Sequence, residues 1–137
     1  MNTITFIVPG QPVAKARARV TKTGHAYTPK KTVDYERAVG MACKLAMARD
    51  GAEMLTGPVM LYVCAMMEIP RSYSIKRRAA MQGRPHVFRP DSGNILKAVE
   101  DSLNGIAYKD DSQIAETRIR KVYGLDPCIS VRVEELS

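Results

Sequence analysis

PVMLYVCAMMEIP, running from Pro58 to Pro70, is the stretch around which this chain organises. Strand side chains alternate, so Val59, Leu61, Val63, Ala65 and Met67 share one face and Met60, Tyr62, Cys64 and Met66 the other. Both faces are apolar. Such a strand belongs in the middle of a sheet covered on both sides, and the two prolines bound it.

Outward from it, on the N-terminal side, Thr3–Val8 reads as a first strand stopped by Pro9-Gly10. Residues 11–28 form a basic loop or hairpin turning at Gly24, with Tyr27 near its end. Thr28 is then an N-cap with Pro29 at the first helical position. Tyr35, Ala38, Val39, Ala42, Leu45 and Ala46 recur at helical spacing, which predicts a helix to about Asp50-Gly51.

On the C-terminal side, Ser74–Gln82 reads as a short basic helix closed by Gly83, and Arg84–Pro90 as extended chain. Ser92–Leu103 is a central helix with an apolar stripe of Ile95, Leu96, Val99 and Leu103, ended by Asn104-Gly105. Ile106–Tyr108 is a short extended piece and Lys109-Asp110-Asp111 a turn. Gln113–Tyr123 and Cys128–Glu134 are strands, separated by a turn over residues 124–127. The fold class is α+β: a mixed, mostly antiparallel sheet of about four strands packed by two main helices. Residues 1–137 make one domain, large enough to bury a core.

Composition is that of a soluble globular protein, with 45% hydrophobic and 26% charged residues. Val59–Met67 falls far short of the roughly 20 apolar residues that span a bilayer. The N-terminus lacks the order of a signal peptide, which points to a cytoplasmic chain without a membrane partner. Cys43, Cys64 and Cys128 are widely spaced in apolar surroundings and read as reduced core thiols. His25 and His86 have no partners at metal-ligand spacing.

The net charge is +7 and the isoelectric point near 9.5. Its distribution says more. Lys15, Arg17, Arg19, Lys22, Lys30 and Lys31 fall in a segment without acids, residues 1–33. Arg71, Lys76, Arg77, Arg78, Arg84 and Arg89 fall in another, residues 69–90. Such clusters contact phosphates without reading sequence, and nucleic acid is the natural polyanion. Neither cluster lies on a helix with an exposed apolar face, so a membrane surface fits less well.

Against this basic background, Asp91 opens the central helix and Asp110-Asp111 follow it. Each has a structural explanation: Asp91 as an N-cap, Asp110 and Asp111 as turn formers. Geometry links them. The helix is about 18 Å long, and residues 104–111 can span about 23 Å when extended. The chain can therefore return along the helix and bring Asp111 beside Asp91. Two converging carboxylates suit Mg²⁺, with water and phosphate completing its shell. Lys97 lies one turn after Gly93 and off the apolar stripe. It is either a solvated lysine or a group that stabilises charge on a bound phosphate.

Pro90-Asp91-Ser92-Gly93-Asn94-Ile95-Leu96-Lys97, Asp101, Leu103-Asn104-Gly105 and Tyr108-Lys109-Asp110-Asp111-Ser112-Gln113-Ile114 together resemble the RusA family of Holliday-junction resolvases. Pro9-Gly10-Gln11-Pro12-Val13, Arg17-Ala18-Arg19 and Tyr27-Thr28-Pro29-Lys30-Lys31 extend the likeness over nearly the whole chain. The resemblance implies a RusA-like fold and a small homodimeric, Mg²⁺-dependent endonuclease, often prophage-borne, acting in DNA recombination and repair. Such enzymes cut four-way junctions by paired symmetric nicks. It carries the family's acids onto Asp91 and Asp111 and its basic residue onto Lys97. The family motif has aspartate where this chain has Gly93, so one expected metal ligand is missing.

The expected activity is therefore junction cleavage that is weak or lost. Asp91 and Asp111 would hold Mg²⁺ (or Mn²⁺) and Lys97 would steady the phosphate. Lys15, Arg17, Arg19, Lys22, Lys30, Lys31, Arg71, Lys76, Arg77, Arg84 and Arg89 would grip the branched DNA, with Tyr27 stacking on a base. Two alternatives are a catalytically inactive junction-binding protein and a single-strand or RNA binder; six Tyr and two Phe give the latter thin stacking platforms. A four-way junction has two-fold symmetry, which calls for two matched sites and a dimer. Strand 59–67 and the first helix are candidate dimer surfaces.

Overall fold

The computed structural model describes residues 2–137. Its frame is a four-stranded sheet of β1 (Thr3–Pro9), β4 (Val59–Glu68), β5 (Ile114–Gly124) and β6 (Cys128–Glu135). The spatial order is β1-β6-β4-β5. β6 runs antiparallel to both β1 and β4, while β4 and β5 are parallel. The sheet is thus mixed and mostly antiparallel, as the strand pattern predicts. Residues 125–127 cross the end of β4, because β4 lies between β5 and β6.

Two main helices cover one face: α1 (Lys30–Asp50) and α3 (Ser92–Ser102). α1 lies on β1 and against α3, and α3 lies on β5. Val39, Cys43, Ile95, Val99 and Leu103 from this layer join Val59, Leu61, Val63, Ala65, Met67, Ile129, Val131 and Val133 in one core. Burial of this apolar surface is the main stabilising term.

Several details depart from the expectations. β4 is central but covered on one side only; Met60, Tyr62, Cys64 and Met66 are half-buried on the other. Cys43 is in the core, whereas Cys64 and Cys128 are half-buried on that open face, and all three thiols are free. Thr28 does not cap α1, whose N-cap is Pro29 and has no side-chain hydrogen bond. Leu45 is 64% exposed, because the buried stripe of α1 runs through Thr32, Val39, Gly40, Cys43 and Ala46. Gly40 sets that rotation. A Cβ there would stand 3.1 Å from Ile106 Cδ1 and 3.3 Å from the Ser102 carbonyl, so its absence lets α1 approach the end of α3.

Smaller elements complete the chain. β2 (Arg19–Val20) and β3 (Ala26–Tyr27) form an exposed hairpin turning at Gly24, whose φ of 86° favours glycine. α2 (Ile75–Met81) is the predicted basic helix, with Ser74 accepting from the Arg77 amide. Residues 104–108 are a tight turn instead of an extended piece: the Ile106 and Ala107 amides both donate to the Leu103 carbonyl. Tyr108 is fully buried, and its hydroxyl donates to the Glu100 carbonyl. No helix is long and apolar enough to cross a membrane among the described residues.

Candidate active site on the third helix

α3 presents Ile95, Ala98, Val99 and Ser102 to the core. At 100° per residue the opposite face carries Gly93, Lys97, Glu100 and Asp101. Asp91 stands at the helix mouth. Its backbone carbonyl accepts the first helical amides, Asn94 and Ile95, but its side chain caps nothing. The carboxylate is left free of the structural duty that would have explained it.

The two acids after α3 divide their work. Asp110 accepts from the Ser112 amide in a capping box with Gln113, opening a short 3₁₀ turn over Asp111–Gln113. Those hydrogen bonds hold the Asp110 carboxyl below its ordinary value. Gln113 is the anchor: its amide nitrogen donates to the Leu55 and Gly57 carbonyls, and its oxygen accepts from the Lys109 and Asp110 amides. Asp111 is thereby fixed with its carboxylate unspent on the backbone.

Asp111 faces Lys97, with 3.8 Å between carboxylate and ammonium. Lys97 also pairs with Asp101 at 3.1 Å, one turn along the same helix. The hydrogen bond to Asp101, then the field of Asp101 and Asp111, raise the Lys97 pKa. Glu100 borders the same group; burial chiefly raises its carboxyl, and Asp111 and Asp101 add to the rise while Lys97 opposes it. The chain returns along α3 and brings Asp111 to Lys97, whereas Asp91 forms no ion pair with Lys97 among the described residues.

Gly93 lies one turn before Lys97 on this face. A Cβ added there meets nothing within 4 Å, and the backbone is ordinary helix. Residue 93 therefore has room for a Cβ without any neighbour moving. No group of three or more His, Cys, Asp or Glu is gathered for a metal among the described residues.

A cleft of about 670 Å³ opens beside Asp91, and its walls include Arg19, Lys31, Arg89 and Asn94. The base of the hairpin and the start of α1 thus bring cations to the one acid in that wall. Arg17 and Lys22 extend the positive surface along the hairpin, where Tyr27 is 47% exposed. Lys76 and Arg84 are exposed on the second basic segment. Other cations of the two clusters are already engaged. Lys15 is half-buried, 2.6 Å from Glu36 and 3.3 Å from Asp101, and so ties the N-terminal loop to both helices. Lys30 pairs with Asp34, Arg71 with Glu68, and Arg77 lies 3.5 Å above the Tyr73 ring.

Pattern reading misses three residues here. Lys121 of β5 donates its ammonium to the Phe88 and Pro90 carbonyls, holding the chain immediately ahead of Asp91. Asp101 joins Lys97 to Lys15, and Gln113 builds the Asp111 turn. Only Asp101 had a local signal, its i,i+4 spacing from Lys97. The other two act through contacts distant in sequence.

A family model described as endodeoxyribonuclease RusA matches residues 9–134. The chain belongs to the RusA family. The match includes both basic segments, α3 and the Asp111 turn. Over 144 aligned residues the chain is also 31% identical to the uncharacterized protein YqaN of Bacillus subtilis (strain 168), covering 100% of this chain and 99% of that relative. RusA membership supports nuclease action on Holliday junctions and binding of branched DNA, and RusA-family nucleases are generally dependent on a divalent metal.

Proposed function

We propose that this chain is a Mg²⁺-dependent endonuclease of the four-way DNA junction, working as a homodimer in the cytoplasm, with catalysis held down by Gly93. The observation that carries this reading is the free Asp91 carboxylate at the mouth of the helix whose outer face pairs Lys97 with Asp111. In donor chemistry these residues suit a hard divalent ion. Both acids are carboxylates, neither is consumed by helix capping, and Mg²⁺ is commonly held by one or two carboxylates with water and phosphate. Asp91 and Asp111 would hold it, and Mn²⁺ takes the same oxygen donors. A bound ion of this kind polarises the phosphate and lowers the pKa of water.

The chain's own residues do the rest. Lys97 offers positive charge to the phosphate as negative charge grows on it, and Asp101 keeps that ammonium protonated and in place. Arg19, Lys31 and Arg89 draw the backbone into the cleft beside Asp91. Arg17, Lys22 and Tyr27 on the hairpin, with Lys76 and Arg84, reach the junction arms. Lys15 contributes by holding the loop to α1 and α3. A dimer follows from the two-fold symmetry of an open junction and its two matched cuts. Like its family, such an enzyme would serve recombination and repair, and a prophage setting suits it.

One observation favours a second reading: residue 93 is a glycine with open space at its Cβ position, where the family resemblance expects a further carboxylate. On that reading the chain binds junctions without cutting them. Cleavage of a synthetic four-way junction in Mg²⁺ separates the two. A nuclease restrained by Gly93 nicks weakly, and Gly93→Asp raises its rate by at least about 10-fold, since even an outer-shell partner of a metal ligand is worth about 10–100-fold. No gain in that variant, with tight junction binding retained, favours the inactive binder.

A further inference from the structure

Just ahead of Asp91 the chain exposes two neighbouring apolar side chains, Val87 at 79% and Phe88 at 67%. They sit in the segment without acids between Glu68 and Asp91, flanked by Arg84 and Arg89. The segment is firmly held. The His86 amide donates to the Lys121 carbonyl, the Tyr123 amide donates to the Arg84 carbonyl, and Pro85 bridges Val122. The Lys121 ammonium binds the Phe88 and Pro90 carbonyls on either side of Arg89. The His86 ring rests on Tyr123 at 4.7 Å and meets Phe88 at 6.0 Å in an edge-on arrangement.

An apolar tip held outward on a hydrogen-bonded backbone, with an arginine to either side along the chain, suits one kind of surface. Phosphates satisfy the arginines, and stacked bases accept the ring. DNA-deforming proteins insert such apolar wedges between base steps and kink the duplex. Protein interfaces also accept arginine and aromatic side chains, but a segment with no acid from residue 69 to residue 90 favours a polyanion.

We propose that Phe88, backed by Val87, is a wedge that enters the DNA at the branch and unstacks a base step. This rests on the junction reading and adds the group that deforms the substrate. Phe88 stands three residues from Asp91, at most about 11 Å of chain. Successive phosphates of one strand are about 3.4 Å apart along the helix, so the opened step lies within about three nucleotides of the cut. Arg89, between them, lines the Asp91 cleft and would carry the intervening phosphate toward it.

The test uses a four-way junction carrying 2-aminopurine beside the branch, with the full chain and EDTA so that only binding is read. The wild-type chain raises the fluorescence as it unstacks the probe. Phe88→Ala binds the junction within about tenfold of wild type but loses most of that rise, while Phe88→Leu keeps it. A full rise with Phe88→Ala overturns the wedge. So does a change of oligomeric state in Phe88→Ala by sedimentation, which would assign the tip to a second copy of the chain. If the wild-type chain prefers the junction no more than duplex, the junction reading itself falls, and the wedge with it.

Discussion

Asp111 and Lys97 meet at 3.8 Å across the gap between the turn after α3 and the outer face of that helix. The contact joins two segments through a carboxylate that the backbone does not use, while its neighbour Asp110 does all the capping. It also leaves Lys97 between Asp101 and Asp111, one turn beyond the bare position at Gly93. On the proposed reading, this ammonium is the group that meets the phosphate.

Gly93→Asp should stabilise the fold as well as restore cleavage. Glycine inside a helix costs about 0.5–1 kcal/mol against alanine, and a carboxylate in the first turn gains about 0.3–1 kcal/mol from the helix dipole. Repulsion from Asp91 takes part of this back. Aspartate recovers only part of the glycine penalty, so the expected net gain is about 0.5 kcal/mol in a denaturant titration, with no clash at the Cβ. A loss of stability would show that residue 93 is not the open position described.

Lys121→Ala should loosen the approach to Asp91. The ammonium binds two carbonyls of the 88–90 segment, and charged donors of this kind contribute strongly. A cost of about 1–2 kcal/mol is expected after allowing for partial exposure. Amide exchange in residues 86–90 should quicken more than in β6. Unchanged exchange there would show that the paired backbone of residues 83–86 suffices as an anchor.

Glu100 gives the site a pH signature. Burial chiefly raises its pKa above 4.5, so the folded state keeps the proton longer than the unfolded chain. Stability from this group is therefore full below pH 4.5 and falls as pH rises through the folded value. Glu100→Gln removes the penalty, and its advantage over wild type should widen between pH 4 and pH 7. Denaturation midpoints at the two pH values read it, and an advantage that shrinks would mean that Lys97 outweighs burial.

The alternation of β6 and the stripe of α3 were plain in the sequence, because each buries a face that its own spacing defines. β4, in contrast, is apolar on both faces, and its spacing did not mark the open one. What spacing does not carry is partnership. Nothing local says that β4 separates β5 from β6, or that Lys15 is tied to Glu36 and Asp101. The α1 stripe is misjudged at Leu45 because its contact with α3 centres on Gly40, where closeness and not apolar bulk does the packing. Asp91, Lys97 and Asp111 stood out by type and position, yet only coordinates separate Asp111 from Asp110 by what each carboxylate touches.

The central claim is a single divalent-ion site shared by Asp91 and Asp111. Mn²⁺ titration followed by electron paramagnetic resonance tests it directly, using wild type, Asp91→Asn and Asp111→Asn. One site per chain is expected, weakened at least tenfold by either substitution and tightened by Gly93→Asp. Binding that survives both asparagine substitutions unchanged would contradict the account.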